Sequence, residues 1–133
     1  MSDCVLDASA LVLAVNGKNK AADDLRASLR GAWAHAPHLI DAEVGNVLGR
    51  HEHSGLIGEE EAHVALSAAQ TLVAYRYPHA GPLAETAWRL RHNLSFYDAL
   101  YVALAAQVSA PLLTCDARLR KAPGLPCQVE LVG

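Results

Sequence analysis

The sequence predicts an α/β domain of three layers, α/β/α, with a central, mostly parallel sheet of about five strands, and two observations carry that prediction. Short apolar runs such as "CVLDA" (Cys4–Ala8) lack the in-and-out alternation of a strand with one wet face, so they read as strands buried on both sides. Between them lie stretches of helical length and periodicity, and strands that alternate with helices pack as a parallel sheet covered on both faces. A chain of 133 residues is sized for one domain, 1–133, and can bury roughly two thirds of its unfolded surface. With 52% hydrophobic and 19% charged residues and a mean hydropathy of +0.13, it has material for a core and is not a disordered chain.

In chain order, "CVLDA" is the first strand, and "SALVLAV" after it is a helix that Ser9 can cap. "KAADDLRASL" spaces Ala22, Leu25 and Leu29 for a helix with charges opposite, and "GAWAHAP" is a second strand ending at Pro37. From Leu39 to about Arg50, Ile40, Val44, Val47 and Leu48 share one helix face, and "HEHSG" ends it. "IGEEEAHVALSAAQTL" opens with carboxylates suited to the positive end of a helix dipole. "VAYRYP" is a third strand, and "PLAETAWRLRHNL" and "SFYDALYVALAAQVS" are two further helices. The second of these, capped by Ser95, is apolar nearly all round and belongs in the core. "APLLTCDARLRKA" repeats the opening theme, a strand ending in an aspartate before a short helix, and "CQVELV" is the last strand.

No stretch approaches the roughly 20 apolar residues of a membrane helix. "MSDC" also lacks the basic start and long apolar stretch of a secretory signal, so a cytoplasmic protein is expected. Cys4, Cys115 and Cys127 are odd in number and lack CxxC spacing, which suits free thiols in a reducing compartment. A net charge of −3 provides no global field for nucleic acid, so any such binding needs a local basic patch.

Four carboxylates stand in apolar sequence where acidic residues are out of place: Asp7 in "VLDASAL", Glu43 in "LIDAEVGNVL", Asp98 in "SFYDALYVAL" and Asp116 in "LLTCDARL". Asp7 and Asp116 fall at carboxyl ends of strands, where open α/β sheets bind ligands. Each has a plainer reading, as a helix cap for Asp7, a dipole partner for Asp98, a surface residue for Glu43 and a turn for Asp116. Gathered in one cleft, like charges would raise one another's pKa unless a cation compensates them. Hard oxygen donors select Mg²⁺, with Mn²⁺ as substitute, and the chemistry that follows is metal-assisted attack of water on a phosphodiester. Asp41 points to another side of its helix and reads as a capping or surface group.

These motifs resemble the PIN-domain ribonucleases, and particularly the VapC-type toxins of toxin–antitoxin pairs. The matches are "VLDASALV", P-x-L-x-x-x-E-V-x-N-V-L over Pro37–Leu48, "YDALYVALA" over Tyr97–Ala105, and "LLTCD" over Leu112–Asp116, in the family's order and spanning nearly the whole chain. The resemblance implies that Asp7, Glu43, Asp98 and Asp116 form an acidic Mg²⁺ site, that Ser9 and Thr114 help hold it, and that Asn46 faces it. It further implies endonucleolytic cleavage of RNA, a homodimer and inhibition by a small VapB-type antitoxin.

An anionic site needs basic groups at its rim to hold RNA. Arg118, Arg120 and Lys121 after Asp116, and Arg50 with His51 and His53 at the end of the Glu43 helix, are the candidates, with Lys18 and Lys20 a third group. Trp33, Trp88, Tyr75, Tyr77 and Tyr101 offer rings for base stacking or for the core. The seven histidines lack a zinc-site spacing. A phosphoacceptor receiver domain would need an adjacent acidic pair near the first strand. A haloacid-dehalogenase-type phosphatase would need an aspartate where Ser9 stands. The remaining rivals are a PIN nuclease without an antitoxin and a catalytically inactive PIN-like interaction module.

Overall fold

A computed structural model describes residues 1–133. Strand β1 (Ser2–Leu6) enters helix α1 (Ala8–Asn16), and α2 (Lys20–Leu29) returns the chain to β2 (Ala32–Pro37). Helices α3 (Leu39–His53) and α4 (Glu59–Leu72) lead to β3 (Tyr75–Tyr77). Helices α5 (Pro82–Arg89) and α6 (Phe96–Val108) cross back to β4 (Leu112–Thr114), and α7 (Ala117–Lys121) precedes β5 (Val129–Leu131). Every strand pairing is parallel, in the order β3-β2-β1-β4-β5. The expected five-stranded, mostly parallel sheet is therefore present and wholly parallel.

The strand order explains the layers. Right-handed crossovers that step from β1 outward to β3 place α1 to α4 on one face, and the crossover that steps back to β4 places α5 and α6 on the other. The helix contacts divide accordingly: α1 packs on α2, α3 and α4, whereas α5 packs on α6. The core between the layers is one cluster of 29 residues that includes Val5, Leu6, Ile40, Val44 and Leu112. In α6 every residue from Ala99 to Ala105 is buried, as its all-round apolar sequence requires.

Two local departures from the sequence reading have physical causes. Helix α1 begins one residue early because Asp7, rather than Ser9, is its N-cap and accepts the Ala10 amide. The helix expected to run through "RLRHNL" stops at Arg89, since Arg91, His92 and Asn93 are exposed and no apolar stripe continues there. Leu90 to Leu94 instead close short turns by backbone bonds to Ala87, Trp88 and Leu90. Gly17 is required where α1 ends: a Cβ there would lie 2.5 Å from the Leu13 carbonyl oxygen and 2.6 Å from the Ala22 Cβ. Gly45 and Gly49, inside α3, face open space instead.

Candidate active site at the carboxyl edge of the sheet

The strand order reverses between β1 and β4, and a crevice opens at such a switch point beyond the strands' carboxyl ends. Asp7 follows β1 directly and Asp116 lies two residues beyond β4. The N-termini of the following helices are at the same edge, which brings Glu43 in the second turn of α3 and Asp98 in the first turn of α6 to it. Asp7 and Asp116 are also true N-caps, so the capping reading and the site reading hold together. The partial positive charge of each helix start faces a carboxylate and favours its ionised form.

Asp7 is buried and fully engaged. Its Oδ1 accepts from Ser9 Oγ at 2.6 Å and from the Ala10 amide at 3.0 Å, and its Oδ2 accepts from Thr114 Oγ1 at 2.5 Å. Each hydroxyl is itself fixed by a backbone donor: the Cys115 amide, across the crevice, bonds Ser9 Oγ at 2.9 Å, and the Asp116 amide, two residues along the same junction, bonds Thr114 Oγ1 at 3.0 Å. The β1–α1 and β4–α7 junctions are thereby tied through one carboxylate. Ser9 and Thr114 thus both contact Asp7, and Thr114 is wholly buried.

Glu43 accepts a hydrogen bond from the Tyr101 hydroxyl, a contact that no sequence motif singled out. Tyr101 lies among the rings considered for base stacking, but it is only 2% exposed and turns its hydroxyl to Glu43 instead. The signal was present in the spacing, because Tyr101 is three residues after Asp98 and thus on the same helix face. Burial pushes the Glu43 carboxyl above its ordinary pKa, against the lowering by Tyr101, with Asp98 and Asp7 adding to the rise. Asp98 is likewise raised, first by burial, with Asp7 and Asp116 as repelling neighbours and the Ser95 and Arg118 side chains opposing. The four carboxylates therefore act on one another electrostatically, although no three His, Cys, Asp or Glu side chains close around a single point at ligating distance.

Asp116 differs: Arg118 bonds its carboxylate through Nε at 3.3 Å and Nη2 at 3.4 Å and holds it below the ordinary range. Arg118, expected at the RNA rim, is thus engaged with a member of the cluster while remaining 92% exposed. Arg50, Arg120 and Lys121 are exposed and make no ion pair, and Asn46 is exposed with no hydrogen bond to the carboxylates. Lys18 pairs with Glu61 at 2.8 Å and Lys20 with Asp24 at 2.9 Å. Asp41 is held by both Arg76 Nε at 2.7 Å and Nη2 at 2.9 Å, which staples the start of α3 to β3. The three cysteines are free.

With this geometry established, the comparisons with known proteins are specific. The PIN domain model matches residues 4–125, and the chain belongs to the PIN-domain family. Within that family its relatives are VapC proteins. The chain is 53% identical to Ribonuclease VapC1 of Mycobacterium tuberculosis over 99% of both chains, and 36% identical to Ribonuclease VapC9 of the same organism over 96% and 97%. Among solved structures it resembles VapBC2 of Rickettsia felis bound to a promoter DNA fragment, with a TM-score of 0.73 at 14% identity over 98% and 99% of the chains. It also resembles Mycobacterium tuberculosis VapC20, described as a sarcin-ricin loop cleaving toxin, with a TM-score of 0.68 at 17% identity over 94% and 98%. No helix is long and apolar enough to cross a membrane.

Proposed function

We propose that the chain is a metal-dependent endoribonuclease, the toxin of a VapBC-type pair. The reading is supported by Asp7, locked by Ser9 and Thr114 at the switch point, and by the charge effects that link Glu43, Asp98 and Asp116 to it. The name of the 53%-identical relative supports the ribonuclease activity.

The donor set fits a hard divalent cation: all four groups are carboxylates, Glu43 feels the charges of Asp98 and Asp7, and Asp98 those of Asp7 and Asp116, a repulsion that a cation relieves. Asp7, Glu43, Asp98 and Asp116 would hold Mg²⁺, or Mn²⁺ in its place. When bound, such an ion supplies an acidified water and positive charge opposite the scissile phosphate. The chain's own residues do the remaining work. Ser9 and Thr114 fix both oxygens of Asp7, and Tyr101 fixes Glu43, so the carboxylates are oriented before substrate arrives. Arg118 keeps Asp116 ionised. Arg50, Arg120 and Lys121, free of ion pairs, are the groups that would contact RNA phosphates.

The antitoxin is a small VapB-type protein, and the similarity to the solved VapBC2 and FitAB structures supports such a partner. Homodimerisation is part of the same proposal, and the exposed rings of Trp33, Tyr75 and Trp88, the last 58% exposed, are surface that a second copy would cover. In vitro cleavage of RNA in Mg²⁺ by the parent and by Asp7→Asn tests the reading. The parent cuts, and the variant, folded to the same circular-dichroism spectrum, loses at least a hundredfold in rate. Equal rates would refute it.

A further inference from the structure

Beside the carboxylates lies a cavity of about 390 Å³ that the reading above leaves unused. Val12 and Leu13 of α1 form one side, and Leu56 and Ile57, in the turn after α3, form another. Ser9 closes one end, and since its hydroxyl donates to Asp7, the cavity begins one side chain away from the candidate reaction centre. His51, in the last turn of α3, completes the lining. Its Nδ1 is the one buried side-chain nitrogen or oxygen without a hydrogen-bond partner in the whole chain.

We propose that this cavity receives an unpaired nucleobase of the RNA strand, next to the scissile phosphate, and that His51 reads the edge of that base. The inference rests on the ribonuclease reading and adds its specificity determinant. A base needs apolar contact on its faces and hydrogen bonds on its edge. The cavity supplies aliphatic walls and an imidazole that makes no hydrogen bond within the chain; its Nδ1 is covered, so Nε2 is the ring nitrogen within reach of a base edge. Leu56 is 69% exposed, an open apolar surface for which a base face is a fitting cover. Lys18 at the rim is paired with Glu61 and no Asp or Glu lines the space, so the lining carries no unpaired charge and suits a neutral base rather than a charged side chain. An apolar side chain from a protein partner would fill the walls yet leave the histidine nitrogen unpaired.

The test combines binding and cleavage. The full-length protein is titrated with 5′-AMP, GMP, CMP and UMP in turn while NMR follows the histidine ring and the Val12, Leu13 and Leu56 methyl resonances. At least one monophosphate shifts His51 and those methyls and leaves His63 and His79 unmoved, and His51→Ala weakens that binding about fivefold to tenfold, the size of one hydrogen bond. Short RNAs varied at the bases flanking the cut are then cleaved in Mg²⁺. The parent's rates spread with base identity, and in His51→Ala the spread narrows by a similar factor. Leu13→Trp, which fills the cavity, raises KM for every sequence, and His51→Gln provides a second variant should it misfold. No shift with any of the four monophosphates, or an unchanged spread in both His51 variants, overturns the proposal. RNA left uncut by the parent with the shifts intact overturns the ribonuclease reading and supports the base site. If the His51 variants instead lose only inhibition by the protein encoded in the adjacent upstream reading frame, the cavity belongs to that partner and the proposal fails.

Discussion

Replacing Tyr101 by Phe removes one oxygen from a residue that is 2% exposed and deletes the hydrogen bond on which Glu43 depends. The ring still fills its place, so no cavity beyond the hydroxyl is created, and the change isolates the bond. Hydrogen bonds to charged groups contribute about 1.5–3 kcal/mol, and Glu43 is only partly buried, so a loss of about 1–2 kcal/mol is expected near neutral pH. For a chain of this length that is a fall in Tm of about 3–8 °C. The loss depends on pH in a defined direction. In the parent, burial raises the Glu43 pKa while Tyr101 opposes the rise, so removing the hydroxyl raises it further. A group whose folded pKa is raised binds protons more tightly in the folded state, and its contribution to stability is lost as pH rises through the folded value. The variant's deficit therefore grows from pH 4, where Glu43 is protonated, to pH 8. Thermal unfolding of both proteins across that range, without divalent ions, reads it directly. A deficit independent of pH would show that the hydroxyl does not act through the carboxylate.

The other predictions use the same contacts. Thr114→Val strands Asp7 Oδ2 and the Asp116 amide together and lowers the urea-unfolding free energy by about 2–3 kcal/mol, whereas Thr114→Ser retains most of the stability. Arg118→Ala removes the partner that depresses Asp116, so the Asp116 titration followed by NMR moves upward toward its ordinary range; the folded protein then binds its proton at higher pH. Mg²⁺ at ten times its Kd stabilises the parent by about 1.4 kcal/mol, and this gain, read as a Tm increase, disappears in Asp98→Asn. Gly17→Ala drives a Cβ against the Leu13 carbonyl and Ala22, and lowers Tm by several degrees without changing the folded spectrum. In light scattering the chain, 14.1 kDa as a monomer, runs at twice that mass.

What was legible in the sequence is what repeats locally. The "VLDASAL" and "LLTCD" junctions announced two strands ending at helix starts, and the charge-free run after Asp98 announced a core helix. Those features suffice for the three layers and for placing Asp7 and Asp116 at the carboxyl ends of strands. Glu43 stood out with the others by its apolar surroundings, but an isolated glutamate on an amphipathic helix reads as surface when taken alone. The contacts that were not legible join residues far apart in the chain: Tyr101 with Glu43 are separated by 58 positions and Arg76 with Asp41 by 35. His51 was legible only as a basic residue at a helix end. That its ring nitrogen is buried without a partner depends on how the turn at Leu56 and Ile57 folds over α1, which no local pattern encodes.

The central claim is that the Asp7 cluster cuts RNA. It is tested most directly by mapping RNA 5′ ends in cells after brief induction of the parent chain, with Asp7→Asn expressed to the same level as control. New 5′ ends at defined positions that appear with the parent and are absent with the variant are the predicted result. Identical 5′-end maps for the two proteins would contradict it.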